Sequence, residues 1–146
     1  MDRGVAVVVT AVAGGLIALQ PPINAELGRF TGNLQAGFVS FAVGALLIGA
    51  IVVLTGKAGG LSHASEPSWI YLLGGGVTGA AYVVTALITV SSIGAAGVVA
   101  ATIVGQLSAS VVIDRLGVLG LEEVPISLDR VIGVALLALG TYLIVR

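Results

Sequence analysis

The sequence contains no cysteine, a single histidine and few charged side chains. Without cysteine the chain can form no disulfide, thiolate metal site or cysteine nucleophile. The histidine, His63, falls in a polar loop, where a solvated side chain is a commoner explanation than a metal ligand. Charged residues make up 9% of the chain, whereas a soluble domain averages about 25%. The net charge of −1 offers no basic surface for nucleic acid.

The signatures of common enzyme classes are also missing. The sequence has no Ser/His/Asp set, no metal-ligand cluster and no phosphate-binding loop. The run Gly74-Gly75-Gly76 lacks the strand and helix context that a nucleotide site needs. We therefore predict that the protein is not an enzyme and holds no cofactor or metal.

What the sequence does contain is apolar: hydrophobic residues make up 58% of the chain, and 22 residues are glycine. A soluble protein of this size must cover a large surface with polar groups, and this chain has too few of them. Glycine and alanine let membrane helices approach closely. The composition predicts an all-α, polytopic membrane helix bundle in contact with the lipid bilayer.

Five stretches approach the roughly 20 apolar residues that a membrane-spanning helix needs. They cover about 4–27, 33–55, 69–90, 95–113 and 127–145, within a single transmembrane domain, 1–146. We interpret the first as a membrane helix, because cleaving it as a secretory signal would release nothing soluble. The tight turn at 91–94 makes the third and fourth spans an antiparallel hairpin. Four spans plus a re-entrant segment are the main alternative.

The fifth span is the weakest of the set. Its apolar run, 131–145, reaches only about 22 Å at 1.5 Å per residue, short of a bilayer core of about 30 Å. Starting the helix at Ser127 lengthens it sufficiently. Asp129 then lies in the first turn, where the helix dipole stabilises an anion.

The basic residues give only a weak preference for one membrane orientation. With five spans the N-terminal face carries four of them and the opposite face two, which favours a cytoplasmic N-terminus. The four are Arg3, Lys57, Arg115 and Arg130; the two are Arg29 and Arg146. So small a difference permits insertion in both orientations. Larger transporters contain two inverted repeats, whereas this chain has no internal repeat. A second copy in the opposite orientation, in an antiparallel homodimer, would supply the missing half.

A pair of prolines interrupts the first span next to two amides. Pro21 and Pro22 leave the carbonyls of Ile17 and Ala18 without their helical donors. Gln20 and Asn24 are four residues apart and share a helix face. A broken helix flanked by amides is typical of a transporter substrate site near the middle of the membrane, although a kink with amides that bind neighbouring helices is the alternative.

Polar residues form a row along each of two later spans. In the third span the row contains Thr78, Tyr82, Thr85 and Thr89; in the fourth it contains Thr102, Gln106, Ser110 and Asp114. Such a row is costly against lipid and indicates a bundle interior, a partner subunit or a water-filled path. Threonine is weak evidence, because its hydroxyl can bond to its own helix. Tyr82, Gln106 and Ser110 therefore join Gln20 and Asn24 as predicted substrate contacts.

Two carboxylates near span ends, Glu26 and Asp114, are candidates for coupling transport to protons, because partial burial makes a carboxylate easier to protonate. Their neighbours Arg29 and Arg115 favour the simpler interpretation of solvated, interfacial pairs. Small residues at helical spacing are predicted to form packing surfaces. They are Ser40, Gly44, Gly75, Gly79, Gly97 and Gly105.

Six motifs resemble the YdcZ-type family of inner-membrane exporters, within the drug/metabolite transporter superfamily of bacteria. They are QPPINAELG (20–28), VSFAVG (39–44), LGGGVTGAAY (73–82), GQLSAS (105–110), IDRLG (113–117) and RVIG (130–133). Together they cover nearly the whole chain in order. The resemblance implies a multi-pass inner-membrane exporter of five helices that assembles as an antiparallel dimer. It implies no particular substrate, and it places Glu26 where the family pattern tolerates several residues.

These observations lead to one functional hypothesis and two alternatives. We expect a secondary transporter that exports a small polar or amphipathic solute as a dual-topology homodimer. The first alternative is a non-transporting membrane subunit or scaffold of a larger complex. The second is a passive channel, which would conduct without saturation.

Overall fold

The computed structural model of the chain describes residues 2–64 and 66–146. The helices are α1 (Arg3–Ala18), α2 (Gln20–Thr31), α3 (Asn33–Leu54), α4 (Trp69–Leu116) and α5 (Leu128–Val145), with a short 3₁₀ helix at Ala58–His63. The described residues contain no β-strand. The prediction of an all-α membrane protein is confirmed.

Helix α4 is long enough for two membrane spans. Its 48 residues would extend about 72 Å at 1.5 Å per residue, more than twice the bilayer core. The backbone leaves the helical conformation at Gly94, with φ 70° and ψ 169°, a region that only glycine adopts readily. We call the two parts α4a (69–93) and α4b (95–116). The predicted four-residue turn is therefore shorter than expected, because one glycine interrupts the helix.

The remaining apolar helices each provide one span. Arg3–Thr31 and Asn33–Leu54 have the length and composition to cross a membrane, as does Leu128–Val145. The first extends four residues past the predicted end at 27. The fifth begins as expected: the Ser127 hydroxyl accepts the N–H of Arg130 over 3.4 Å, and Asp129 lies in the first turn. The described residues thus contain four long apolar helical segments that could cross a membrane, and the predicted count of five spans depends on α4 crossing twice.

The connection between α2 and α3 is a single residue, Gly32. Its φ of 96° lies in the left-handed region that favours glycine. The Gly32 N–H donates to the carbonyl of Gly28 over 2.8 Å, and the N–H of Ala36 donates to the carbonyl of Gly32 over 3.0 Å. Gly32 is therefore bonded to both helices, as a donor to the end of α2 and as an acceptor from the start of α3.

The chain divides into two compact units. The first comprises 2–18 and Ser92–Arg146, and so contains α1, α4b and α5; the second is Leu19–Ser91 and contains α2, α3 and α4a. In the second unit the buried residues of the three helices are small or apolar, with one exception. They are Pro21, Asn24 and Gly28 from α2, Ala36 and Gly37 from α3, and Val83, Ala86 and Leu87 from α4a.

Two glycines lie against side chains of a neighbouring helix, one in each unit. A Cβ added at Gly37 of α3 would lie 3.6 Å from Cδ1 of Leu87 and 3.7 Å from Cγ1 of Val83 in α4a. In the first unit, a Cβ at Gly97 of α4b would lie 3.3 Å from Cγ2 of Val145 in α5. Close contact of this kind replaces the large buried side chains of a soluble core.

Candidate functional site

The boundary between α1 and α2 falls at Leu19, whose backbone keeps helical angles (φ −76°, ψ −21°); the substrate site at this boundary stays a prediction. Helix α1 ends at Ala18 and α2 starts at Gln20, with the prolines in the first positions of α2. The helical hydrogen bonds resume when the N–H of Ile23 donates to the carbonyl of Leu19 over 3.2 Å. The missing donors are those of Pro21 and Pro22, because proline has no N–H.

Asn24 is the buried polar residue of the second unit. Its side chain is 5% exposed, and it lies on the same face of α2 as Pro21 and Gly28, which are also buried. Among the described residues, the side-chain hydrogen bonds include none from this amide. No buried side-chain nitrogen or oxygen of the described residues lacks a partner, so the amide atoms of Asn24 are not fully enclosed and stay accessible to a water molecule or a solute. Gln20 is half-buried.

The polar row of α4a is largely satisfied by its own helix. The hydroxyls of Thr78, Thr85 and Thr89 donate to the carbonyls of the residues four positions earlier, over 2.8–2.9 Å. These threonines need no partner outside the helix. Tyr82 is half-buried, and its phenol cannot reach its own backbone in this way. It is therefore the polar group of this row that is available to a ligand.

The polar row of α4b differs in this respect. Gln106 and Ser110 are exposed and Thr102 is half-buried. None of the side-chain hydrogen bonds within 2–64 and 66–146 involves these three residues, whereas the neighbouring Ser108 donates to the carbonyl of Val104 over 2.7 Å. Groups of this kind in a membrane span demand a partner, because hydrocarbon supplies none. We call Thr102, Gln106 and Ser110 the α4b polar face.

The α4b polar face ends at an ion pair. Asp114 Oδ2 accepts from Nη1 of Arg130 over 3.0 Å, with the two side chains 33% and 37% exposed. The sequence had suggested Arg115 as the neighbour of Asp114, but Arg115 pairs instead with Glu123. The sequence did offer a signal for the Asp114–Arg130 pair. Starting the fifth span at Ser127 places Arg130 on the same membrane face as the end of the fourth span, where Asp114 lies.

The loop after α4b is folded back onto the end of that helix. The N–H of Val124 donates to the carbonyl of Asp114 over 2.8 Å. Gly117, with φ 56°, lies so close to Glu123 that an added Cβ would approach the Glu123 backbone to 3.3 Å. Backbone contacts and the two ion pairs thus hold Asp114 and Arg130 in place.

Glu26 lies in a different environment from Asp114. It forms an ion pair with Arg29 over 3.1 Å, and the two side chains are 60% and 77% exposed. An exposed pair three residues apart on one helix contributes little to stability. A role for Glu26 in proton coupling stays a prediction, and the burial that would favour such a role is absent at this pair.

The predicted packing residues differ in how closely they approach a neighbouring side chain. A Cβ at Gly79 would lie 3.4 Å from Cζ of Phe41, and one at Gly97 would lie 3.0 Å from Cβ of Ile93. An added Cβ at Gly44, Gly75 or Gly105 would meet no described residue beyond its own stretch of helix within 4 Å, and Ser40 is half-buried. The close approach at Gly37 was missed, since spacing alone does not show which face meets a neighbour.

The predicted solute contacts are divided between the two units. Gln20, Asn24 and Tyr82 belong to the second unit, whereas Gln106 and Ser110 belong to the first. The second unit also has an apolar groove of about 520 Å³, and none of its lining residues is a predicted contact. The lining residues are Leu34, Gln35, Gly37, Phe38, Phe41, Ala80, Val83 and Val84. In the part of the chain that the structure describes, no three His, Asp or Glu side chains cluster as metal ligands would.

Comparison with known proteins identifies the family. No curated protein and no solved structure matches the chain. The family model DMT_YdcZ, described as "Putative inner membrane exporter, YdcZ", matches residues 5–143. This range includes the proline break, both polar rows and the Asp114–Arg130 pair. The chain is thus a multi-pass inner-membrane protein, and it belongs to the YdcZ exporter family.

Proposed function

We propose that the protein is a secondary transporter that exports a small polar or amphipathic solute through the inner membrane. The α4b polar face carries this proposal. Thr102, Gln106 and Ser110 lie within a membrane span, and no described residue satisfies their side chains. Burying such a group without a hydrogen bond costs at least about 1–3 kcal/mol. If the α4b polar face lines a solute path, water and the solute supply the missing hydrogen bonds and this cost is avoided.

Asn24 supports the same function from the second unit. Its side chain is buried beside the proline break, where two backbone carbonyls have lost their helical donors. Backbone carbonyls without helical donors, together with side-chain amides, are groups that transporters use to hold solutes within the membrane. We assign solute contact to Gln20, Asn24 and Tyr82 in this unit, and to Gln106 and Ser110 in the first.

We further propose that the functional form is an antiparallel homodimer. The exposed Gln106 and Ser110 require a protein or water surface opposite them, and a second copy would supply one. The distribution of basic residues, four against two, favours neither orientation strongly. Rocking of one inverted subunit against the other would expose the solute path to each side in turn.

The transport test uses purified protein in liposomes and a panel of labelled neutral amino acids and amphipathic dyes. We expect saturable, protein-dependent flux for at least one compound. Gln106→Ala and Asn24→Ala should each reduce that flux while leaving the dimer yield intact. Phe38→Ala, in the apolar groove of α3, is the control and should retain it. Unchanged flux in both amide variants would remove the assignment of the site.

The topology test fuses reporters to each terminus in turn, one active only in the cytoplasm and one only outside it. Dual topology predicts activity of both reporters at both termini. A fixed orientation in every molecule would rule out the antiparallel homodimer.

Two other measurements test the alternatives. A monomer that cross-links only to other proteins would favour a scaffold subunit, and non-saturable conductance would favour a channel.

A further inference from the structure

The Asp114–Arg130 ion pair occupies the end of the α4b polar face. Thr102, Gln106, Ser110 and Asp114 follow one another at four-residue intervals, so they lie along one side of the helix with a slow drift. Gln106 and Asp114 are separated by about 12 Å along the helix axis. Asp114 is thus the carboxylate of this row, next to the membrane surface. Any solute that moves along the face passes it.

We propose that Arg130 is a fixed counter-ion that cancels the charge of Asp114, and that the solute is therefore net neutral, either uncharged or zwitterionic. The inference rests on the proposed transport function and narrows its substrate class. An unpaired carboxylate at the end of a polar face would attract cations. The guanidinium of Arg130, 3.0 Å from Oδ2, occupies the position that a cationic solute would take.

Three observations distinguish this pair from an ordinary surface ion pair. Both side chains are about two-thirds buried, so water screens their attraction less than it would at an exposed site. The partners are 16 residues apart in sequence and come from different helices. The N–H of Val124 donates to the main-chain carbonyl of Asp114. This bond attaches the loop before α5 to the residue that carries the carboxylate.

The other charges near this end are better solvated. Arg115 and Glu123 neutralise each other with side chains 52% and 61% exposed. Glu122 and Asp129 are exposed, so water and salt screen them. The charge that the polar face presents to a solute is therefore set mainly by Asp114 and Arg130.

The test measures binding of two ions of similar shape and opposite charge, tetraphenylphosphonium and tetraphenylborate, to the purified full chain by equilibrium dialysis against protein-free micelles. The wild type should prefer neither ion by more than a few-fold. Arg130→Gln should shift the ratio of the two affinities towards the cation by about tenfold or more, the effect of one uncompensated charge at contact distance. Asp114→Asn should shift it towards the anion.

Arg115→Gln is the matched control, because it removes the same charge from the same end of α4b beside the polar face. It should leave the ratio near that of the wild type. The exchanged variant, Asp114→Arg with Arg130→Asp, should also behave like the wild type and guards against misfolding of the single variants. Equal shifts in Arg130→Gln and Arg115→Gln, or no shift in either Arg130→Gln or Asp114→Asn, would overturn the proposal.

The two proposals fail in different ways. If the wild type transports a neutral solute but Arg130→Gln gains no preference for the cation, only the counter-ion role is wrong. If the affinity ratio shifts in the two variants as expected while the wild type transports none of the panel, the counter-ion role stands and the transport function is wrong.

Discussion

Gly97 of α4b lies directly against Val145 of α5: an added Cβ would be 3.3 Å from Cγ2 of Val145 and 3.0 Å from Cβ of Ile93. We expect Gly97→Leu to lower the free energy of unfolding in bicelles by about 1–3 kcal/mol, because overpacking forces neighbouring side chains to move. Gly105→Leu is the control. It lies on the same helix, where an added Cβ meets nothing within 4 Å, so a similar loss there would contradict the packing assignment.

Gly94 separates the two spans of α4 through a backbone conformation that other residues avoid. We expect Gly94→Ala to destabilise the protein by about 1–3 kcal/mol, the cost of holding a side chain at such φ and ψ angles. Gly76→Ala tests the opposite sign. Gly76 is helical with open space around it, so alanine should stabilise it by up to about 1 kcal/mol. Thermal unfolding of both variants in detergent measures the difference.

The five-span fold predicts that the chain returns to a membrane surface near Gly94. Because the sequence has no cysteine, one introduced thiol is unique. In opened membranes, Ser92→Cys should react with a membrane-impermeant maleimide, whereas Ile103→Cys within α4b should react only after detergent is added. If both positions are protected, α4 does not reach the surface at its midpoint.

The hydroxyl of Thr85 donates to the carbonyl of Ala81 over 2.8 Å, so its single donor is not available to a solute. We expect Thr85→Val to change the free energy of unfolding by less than about 0.5 kcal/mol and to leave transport unchanged. Ser110→Ala, from the α4b polar face, should reduce transport in the same assay. The reverse order of effects would move the solute path from α4b to α4a.

The spans could be predicted from the sequence because hydropathy and helix signals act locally. The length of the apolar runs gave the helices, and Ser127 with Asp129 marked the start of α5. The turn near Gly94 could be predicted from the sequence, but its length could not. A change of φ and ψ at one residue leaves no trace in the hydropathy pattern.

The pairing of side chains could not be predicted in the same way. Arg130 and Asp114 meet because α4b and α5 are brought together by a folded loop, and no spacing rule covers residues on two helices. The burial of Asn24 depends likewise on which side of α2 faces α3. Periodicity placed Asn24 and Gln20 on one face of the helix, but it could not show that Asn24 is the more deeply buried.

The hydrogen-bond partners of the α4a threonines also could not be predicted from the sequence pattern. Thr78, Tyr82, Thr85 and Thr89 form a polar row in the sequence that resembles the row of α4b. In the structure three of the four satisfy themselves. Whether a hydroxyl bonds to its own helix or outwards is decided by its rotamer, which the residue type alone does not determine.

The one-residue connection at Gly32 has a consequence for how the chain enters the bilayer during synthesis. A single residue allows no delay between the first span and α3, so we expect the two to enter together as a helical hairpin. Arg29, close to the tip, must then cross the apolar layer with them. Because Arg29 is paired with Glu26, we expect the tip to cross with these two charges matched, at a lower cost than an unpaired arginine would have.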